Sequence, residues 1–259
     1  MPVVTGRIAS EVTDHWKVTT SPAVGLSGNS HMEDYEWLDL SPSPDFADWD
    51  HLSVHPDTYL DRYLNVDFAI GRDFALNDSL SINIHGGVKY TNTKWTAHGG
   101  SFIYSEGSFR DTMGSFPDGE RVATFEQRYP GLFLGAAATA LQGDWTFAGL
   151  IRGGATINAS DTDHHWIHGI RFERDYSAIP FLSLGARADY AFNDRITVFL
   201  ERTLTSISKK GRHKRLRSGY RRIDRRTFRQ WGRIRLHFND GQCRSQSLFL
   251  MRKVPQYFD

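Results

Sequence analysis

Leu64-Asn65-Val66-Asp67-Phe68-Ala69-Ile70-Gly71 alternates large apolar residues with small or polar ones. In an extended strand successive side chains point to opposite faces. The octet therefore builds one face of Leu, Val, Phe and Ile and another of Asn, Asp, Ala and Gly. The same period of two recurs at 80–85, where Leu80, Ile82 and Ile84 share a face. It recurs again at 181–190 (Leu182, Leu184, Ala186, Ala188, Tyr190) and at 196–201 (Ile196, Val198, Leu200). No comparable helical period competes with it, so the chain reads as all-β.

Between these runs lie short polar turns, Leu76-Asn77-Asp78-Ser79, Leu141-Gln142-Gly143-Asp144 and Phe192-Asn193-Asp194-Arg195. Asn, Asp and Gly favour tight turns. The remaining connections, 39–57, 97–120 and 159–176, read as long loops. Short turns at one end and long loops at the other is the pattern of an outer-membrane barrel. Trp95, Phe102, Tyr104, Trp145, Phe147, Tyr176 and Tyr190 fall near expected strand ends, where aromatics form interfacial girdles. A soluble β-sandwich would use the same alternation with its apolar face as core, so pattern alone leaves both open. No stretch approaches the ~18 apolar residues of a membrane helix, which does not bear on a barrel.

Charge divides the chain unevenly. The 259 residues carry 31 Lys+Arg and 30 Asp+Glu, but residues 208–259 hold 16 of the basic and 3 of the acidic groups. That leaves 15 basic against 27 acidic in 1–207. Such a tail reads either as a basic arm for nucleic acid or anionic lipid or as text foreign to the rest. The single cysteine, Cys243, permits no internal disulfide. The first residues, Met1 to Arg7, lack the charged segment and apolar core of a secretory signal.

Two short stretches carry the chemistry. Asp34-Tyr35-Glu36 and Asp163-His164-His165 each put two titratable groups on one face of a strand. A carboxylate pair facing an Asp–His pair can activate water: the Asp orients the imidazole, the His takes the proton, and the acids hold the water. Alone, each pattern also fits a solvated strand end. His51, His55, His98, His164, His165 and His168 lack H-E-x-x-H or comparable zinc spacing, so neither metal nor other cofactor is expected. Gly99-Gly100 and Gly114–Gly119 are read as turn glycines, because no Lys-Ser/Thr follows them. Gly-x-Ser-x-Gly is absent.

The blocks HMEDYEWLD (31–39), HPDT (55–58), AHGGSFIYSEGSFRDTMGSFPDGERVATFEQRYP (97–130) and SDTDHHW (160–166) resemble the omptins, outer-membrane proteases of Gram-negative bacteria. The resemblance covers roughly residues 15 to 205. It implies an antiparallel transmembrane β-barrel of the omptin type, incomplete here, in the outer membrane. It implies an aspartic-type endopeptidase with an Asp–His dyad on Asp163 and His165 and a facing acidic pair on Asp34 and Glu36. The family usually has Asp at the latter position, and Glu is one methylene longer. It implies that Asp161 lies at the floor of a pocket for a basic substrate side chain, with its usual acidic partner on strands not matched here. Arg128 matches a lipopolysaccharide contact, while Val88, Tyr90 and Asn92 do not match the neighbouring ones. Expected partners are a peptide or protein substrate and outer-membrane lipid, including lipopolysaccharide, with no nucleic acid, the chain acting as a monomer. The resemblance divides the chain into a foreign segment, 1–14, an omptin-like barrel domain, 15–207, and a basic tail, 208–259. The two abrupt losses of resemblance suggest truncation at the first end and a shifted reading frame at the second. An inactive barrel remnant and a basic-tailed binder of anionic surfaces are the rival readings.

Overall fold

The computed structural model describes residues 1–38, 40–43, 45–193 and 196–207, together with the backbone of two strands at 213–218 and 233–238. One antiparallel sheet of 14 strands contains almost everything, and the helical content among the described residues is a single 3-10 turn, Phe46–Asp48.

Three long strands form the spine: β5 (His51–Asn77), β6 (Leu80–Tyr104) and β7 (Thr112–Gln142). Each runs through two tiers with different neighbours. In the lower tier the order is β1 (Val3–Thr5), β3 (Trp16–Gly25), β5, β6, β7, β8 (Trp145–Thr156), β11 (Pro180–Asn193), β12 (Ile196–Ile207), with β2 (Ile8–Glu11) also on β3. In the upper tier β4 (Asn29–Trp37) pairs with β5, while β9 (Ala159–His165) pairs with β7 and with β10 (Ile170–Tyr176). The change of partner along β7 happens at a break: Asn158, between β8 and β9, adopts φ 52°. β7 pairs with β8 from Gly131 to Gln142 and with β9 from Ala123 to Arg128. Asn tolerates that left-handed conformation better than most residues.

The expected turns at 76–79 and 141–144 are present, and the strand ends at Asn193 and Ile196 bracket the third. The expected long loops are shorter than read. Residues 97–120 are mostly strand, with only 105–111 between β6 and β7, and 159–176 is the β9–β10 hairpin. These upper-tier strands have polar groups on both faces, so they lose the alternation that reveals a strand in sequence while still pairing their backbones.

The lower tier is inside-out relative to a soluble sandwich. The apolar face points outward: Phe68, Ile70, Leu132, Ile151 and Leu184 are exposed, and Leu134 and Leu200 are 75% and 78% exposed. Inward lies a polar network. Arg152 donates to Asp67 at 2.9 Å and to His85 at 3.1 Å, Lys89 lies 3.2 Å from Asp67, and Asn83 donates to Asp73 at 2.7 Å. Apolar-out and polar-in is the polarity of a transmembrane barrel wall. Trp145, Phe147, Tyr190 and Phe192 cluster at the turn end of this band. Tyr176 departs from the girdle expectation: it is buried in the upper tier. Among the described residues no pairing joins β12 to β1 or β3, so the sheet is a curled half-barrel.

Of the tail, two six-residue strands are described. β13 (His213–Ser218) pairs with β10 and β14 (Arg233–Phe238) with β4, neither with β12. The rest of 208–259 lies outside the described residues.

Candidate active site

The site is built in the upper tier, beyond the outward apolar band. On β4, Met32, Asp34 and Glu36 share the inner face, opposite His55, Ser53 and His51 of β5. On β9, Asp161, Asp163 and His165 share the inner face, flanked by Gln127, Phe125 and Ala123 of β7 and by Arg174, Phe172 and Ile170 of β10. Met32, Ala97, Ala123, Phe125 and Phe172 pack into an apolar floor between the two charged pairs. Phe172 meets the His165 ring edge-on, at 5.5 Å and 83°. This floor fixes the ring plane and excludes water, which strengthens every charge interaction above it.

β4 and β9 are separated by three strands, yet the curl brings their side chains together. His165 Nε2 lies 3.4 Å from Asp163 Oδ2 and 3.9 Å from Asp34 Oδ2. Asp34, Glu36 and His165 each offer a ligand atom within 4.8 Å of the others. The extra methylene of Glu36 therefore leaves its carboxylate inside the cluster. Buried Asp34 Oδ1 and Glu36 Oε1 have no hydrogen-bond partner among the described residues, and buried acceptors ordinarily find one. Two carboxylates and an imidazole at this spacing would also suit a divalent cation.

Burial, then charge, sets the protonation of the cluster. Desolvation, reinforced by Asp163, pushes Asp34 from 3.8 to about 7, with His165 opposing. Desolvation and the neighbouring Asp34 push Glu36 to about 8. Burial opposes the charged His165 ring, but the Asp163, Asp34 and Glu36 carboxylates outweigh it and raise the ring to about 10. Asp163 is also desolvated, but His165 and Arg174 hold it below its ordinary value. The folded site thus binds more protons than the unfolded chain. Stability from these groups is greatest in acid and is lost as pH rises, through about 7 and 8 for the carboxylates and about 10 for the imidazole. Glu36→Gln, which cannot charge, is expected to gain about 1–3 kcal/mol over the parent at pH 9 and little at pH 5. Thermal unfolding of the detergent-folded chain at both pH values reads this; equal pH dependence in parent and variant contradicts it.

Further residues support the cluster, and of these Asp50, Arg174 and Tyr176 had no functional reading from the sequence. Asp50, fully buried, accepts from the Leu38 and Leu40 amides and so holds the chain leaving Glu36. His55, also buried, bonds the Gly99 carbonyl at 2.7 Å and Ser53 Oγ at 2.9 Å and stacks on Phe116. It is a strut rather than a fifth member of the cluster. Asp161 shares the inner face of the dyad strand but is already paired, with Arg174 Nε at 2.8 Å and the Tyr176 hydroxyl at 2.6 Å. Arg128 lies elsewhere: it shares the outward face with Leu132 and Leu134 and pairs with Glu126 at 2.8 Å, Arg62 approaching the same carboxylate at 3.5 Å. The D-x-E and D-x-H spacings locate four of these groups, whereas the cross-strand register supplies Arg174 and Tyr176.

A family model described as the omptin family matches residues 1–223. The chain belongs to the omptin family. It is 28% identical over 207 residues to Protease 7 of Escherichia coli O157:H7, covering 76% of this chain and 64% of that relative. It is 27% identical over 177 residues to the plasminogen activator of Yersinia pestis, covering 68% and 54%. The matched region is thus under two thirds of these omptins' length. The crystal structure of the outer membrane protease OmpT from Escherichia coli superposes with a TM-score of 0.72 at 22% identity, covering 96% of this chain and 76% of that one. At that identity the likeness is one of fold, and it places this omptin's half-barrel within a barrel wall.

Proposed function

We propose that this omptin chain is an outer-membrane endopeptidase in which Asp163–His165 and the facing Asp34–Glu36 pair activate water. The observation that carries the reading is the approach of His165 to both Asp163 and Asp34 across the curl, at 3.4 and 3.9 Å. The unpartnered oxygens of Asp34 and Glu36 are acceptors for the attacking water. His165 takes one water proton, and the hydroxide adds to the peptide carbonyl. Collapse of the tetrahedral adduct breaks the C–N bond, and His165 returns the proton to the leaving nitrogen, giving a carboxylate and an amine. Asp163 stabilises the imidazolium formed in between. The base must be neutral to act, and its carboxylate neighbours hold it charged, so activity is expected to rise with pH from neutral into the alkaline range.

The outward apolar band is the surface that lipid would cover. Arg62 and Arg128, beyond its Leu132 end, are proposed to meet anionic headgroups such as those of lipopolysaccharide. The test is cleavage of a mixed peptide library by the full chain refolded in detergent, followed by mass spectrometry, with and without a chelator. Cleavage that survives chelation and is lost in Asp163→Asn supports the reading. Cleavage abolished by the chelator would replace water held by the acids with a metal-held one, and no cleavage at any pH would leave an inactive barrel.

A further inference from the structure

We infer that Arg110 is a positioning residue for Glu36: from the β6–β7 connection it clamps the end of the β4–β5 connection, and through Asp50 it fixes where the Glu36 carboxylate sits. The inference rests on the protease reading above and concerns how its acidic pair is held.

Arg110 has φ 54°, and among the described residues Asn158 alone shares a positive φ without being glycine. The left-handed region is unfavourable for a residue with a Cβ, so an arginine there needs compensating contacts. It has them. The turn is set by Asp111, whose carboxylate accepts from the Glu106, Gly107 and Ser108 amides at 2.9, 2.9 and 2.8 Å. That conformation turns the half-buried Arg110 guanidinium onto the β4–β5 connection. Its Nε and one terminal nitrogen donate to the Trp49 carbonyl at 3.0 and 2.8 Å, and the same terminal nitrogen donates to the Ala47 carbonyl. The guanidinium also lies 3.5 Å from the centre of the Trp49 ring and 4.5 Å from that of Phe109.

Both ends of Arg110 converge on Asp50. The guanidinium holds Trp49, its chain neighbour. The Arg110 amide donates to Ser105 Oγ at 2.8 Å, and that hydroxyl donates to the Asp50 carbonyl at 2.7 Å. Asp50 is fully buried and is bonded to the strand end that carries Glu36. Its amide donates to the Glu36 carbonyl at 3.0 Å, and its carboxylate accepts from the Leu38 and Leu40 amides at 2.7 and 3.0 Å. The Glu36 carboxylate has no comparable anchor: its buried Oε1 has no hydrogen-bond partner among the described residues. Its place beside Asp34 and His165 is therefore set by the backbone, and the backbone by this clamp. Glu36 also has one more rotatable bond than an aspartate, so a loosened backbone spreads its carboxylate over more positions. A shift near 1 Å in such a group costs about 10²-fold in rate.

The experiment compares the full chain, refolded in detergent, with Arg110→Gly and Arg110→Lys. Glycine adopts φ 54° freely, so Arg110→Gly keeps the turn and removes only the clamp. The expected result is a fall in kcat per folded chain of about 10-fold or more with KM little changed, because a misplaced acid weakens the transition state rather than substrate binding. Arg110→Lys, which offers a point charge in place of the fork, should fall between. Hydrogen exchange read by mass spectrometry should be faster in peptides covering Leu38, Leu40 and Asp50 and unchanged in the β9–β10 hairpin. Unchanged exchange at Leu38, Leu40 and Asp50 overturns the inference. So does faster exchange there with the parent kcat, or a loss confined to KM. Acceleration that spreads evenly into β9 and β10 overturns it too, since that is general loosening. If Arg110→Gly does not fold, Arg110→Lys carries the same two readouts. If the parent cuts no peptide, the protease reading fails by itself, and the exchange pattern alone then upholds or overturns the clamp.

Discussion

His165→Ala is expected to lower kcat/KM for peptide cleavage by ~10²-fold or more, the contribution of a positioned general base. The expectation follows from geometry: the ring approaches both the Asp163 carboxylate on its own strand and Asp34 of the acidic pair on β4. Removing it also removes the cation that offsets three buried carboxylates, so Asp34 and Glu36 should retain their protons to still higher pH. Folding should survive, because neutral carboxyl groups are tolerated in that surrounding. The measurement is steady-state cleavage of one peptide by parent and variant over pH 6 to 10. Residual activity should lose the alkaline rise of the parent. Cleavage by His165→Ala at the parent rate would remove the proposed mechanism. Glu36→Asp separates reach from charge: it shortens a carboxylate that now lies within 4.8 Å of its partners. It should leave the rate unchanged or raise it.

Gly100→Ala is expected to be among the most destabilising substitutions in the chain, by about 3 kcal/mol or more. Gly100 has φ +107°, a conformation that side chains rarely adopt, and a Cβ there would lie 2.1 Å from the Val54 carbonyl oxygen and 3.1 Å from His55. Neither obstacle is the end of a flexible side chain. The preceding Gly99, at φ +53°, presents the carbonyl that His55 bonds. The glycine pair is thus a bulge in β6 that lets β5 approach and seats His55, two residues from Ser53 opposite Asp34. The folded fraction in detergent, followed by circular dichroism on heating, reads the effect. A Gly100→Ala chain melting with the parent would show that the bulge is not required.

How much of this was written locally differs between fold and site. The alternation at 64–71, 80–85, 181–190 and 196–201 determined strands and their two faces, since a period of two is a property of each strand alone. The polar turns followed for the same reason. So did the sharing of a face by Asp34 with Glu36 and by Asp163 with His165, because i and i+2 in a strand need no third residue to align them. Which face is turned outward was not local. Leu134 and Leu200 are exposed and Asp67, His85 and Arg152 face inward only because the sheet curls as it does. Nor was the continuation of strand through 97–104 and 112–120, where pairing with neighbours replaces an apolar pattern. The meeting of β4 with β9 depends on the accumulated curvature of the intervening strands. The pairing of Asp161 with Arg174, 13 residues apart, depends on the register of the hairpin. A sequence lists those charges without saying which satisfy one another; backbone hydrogen bonding across the sheet decided that one carboxylate faces a histidine and its neighbour two positions away is already taken.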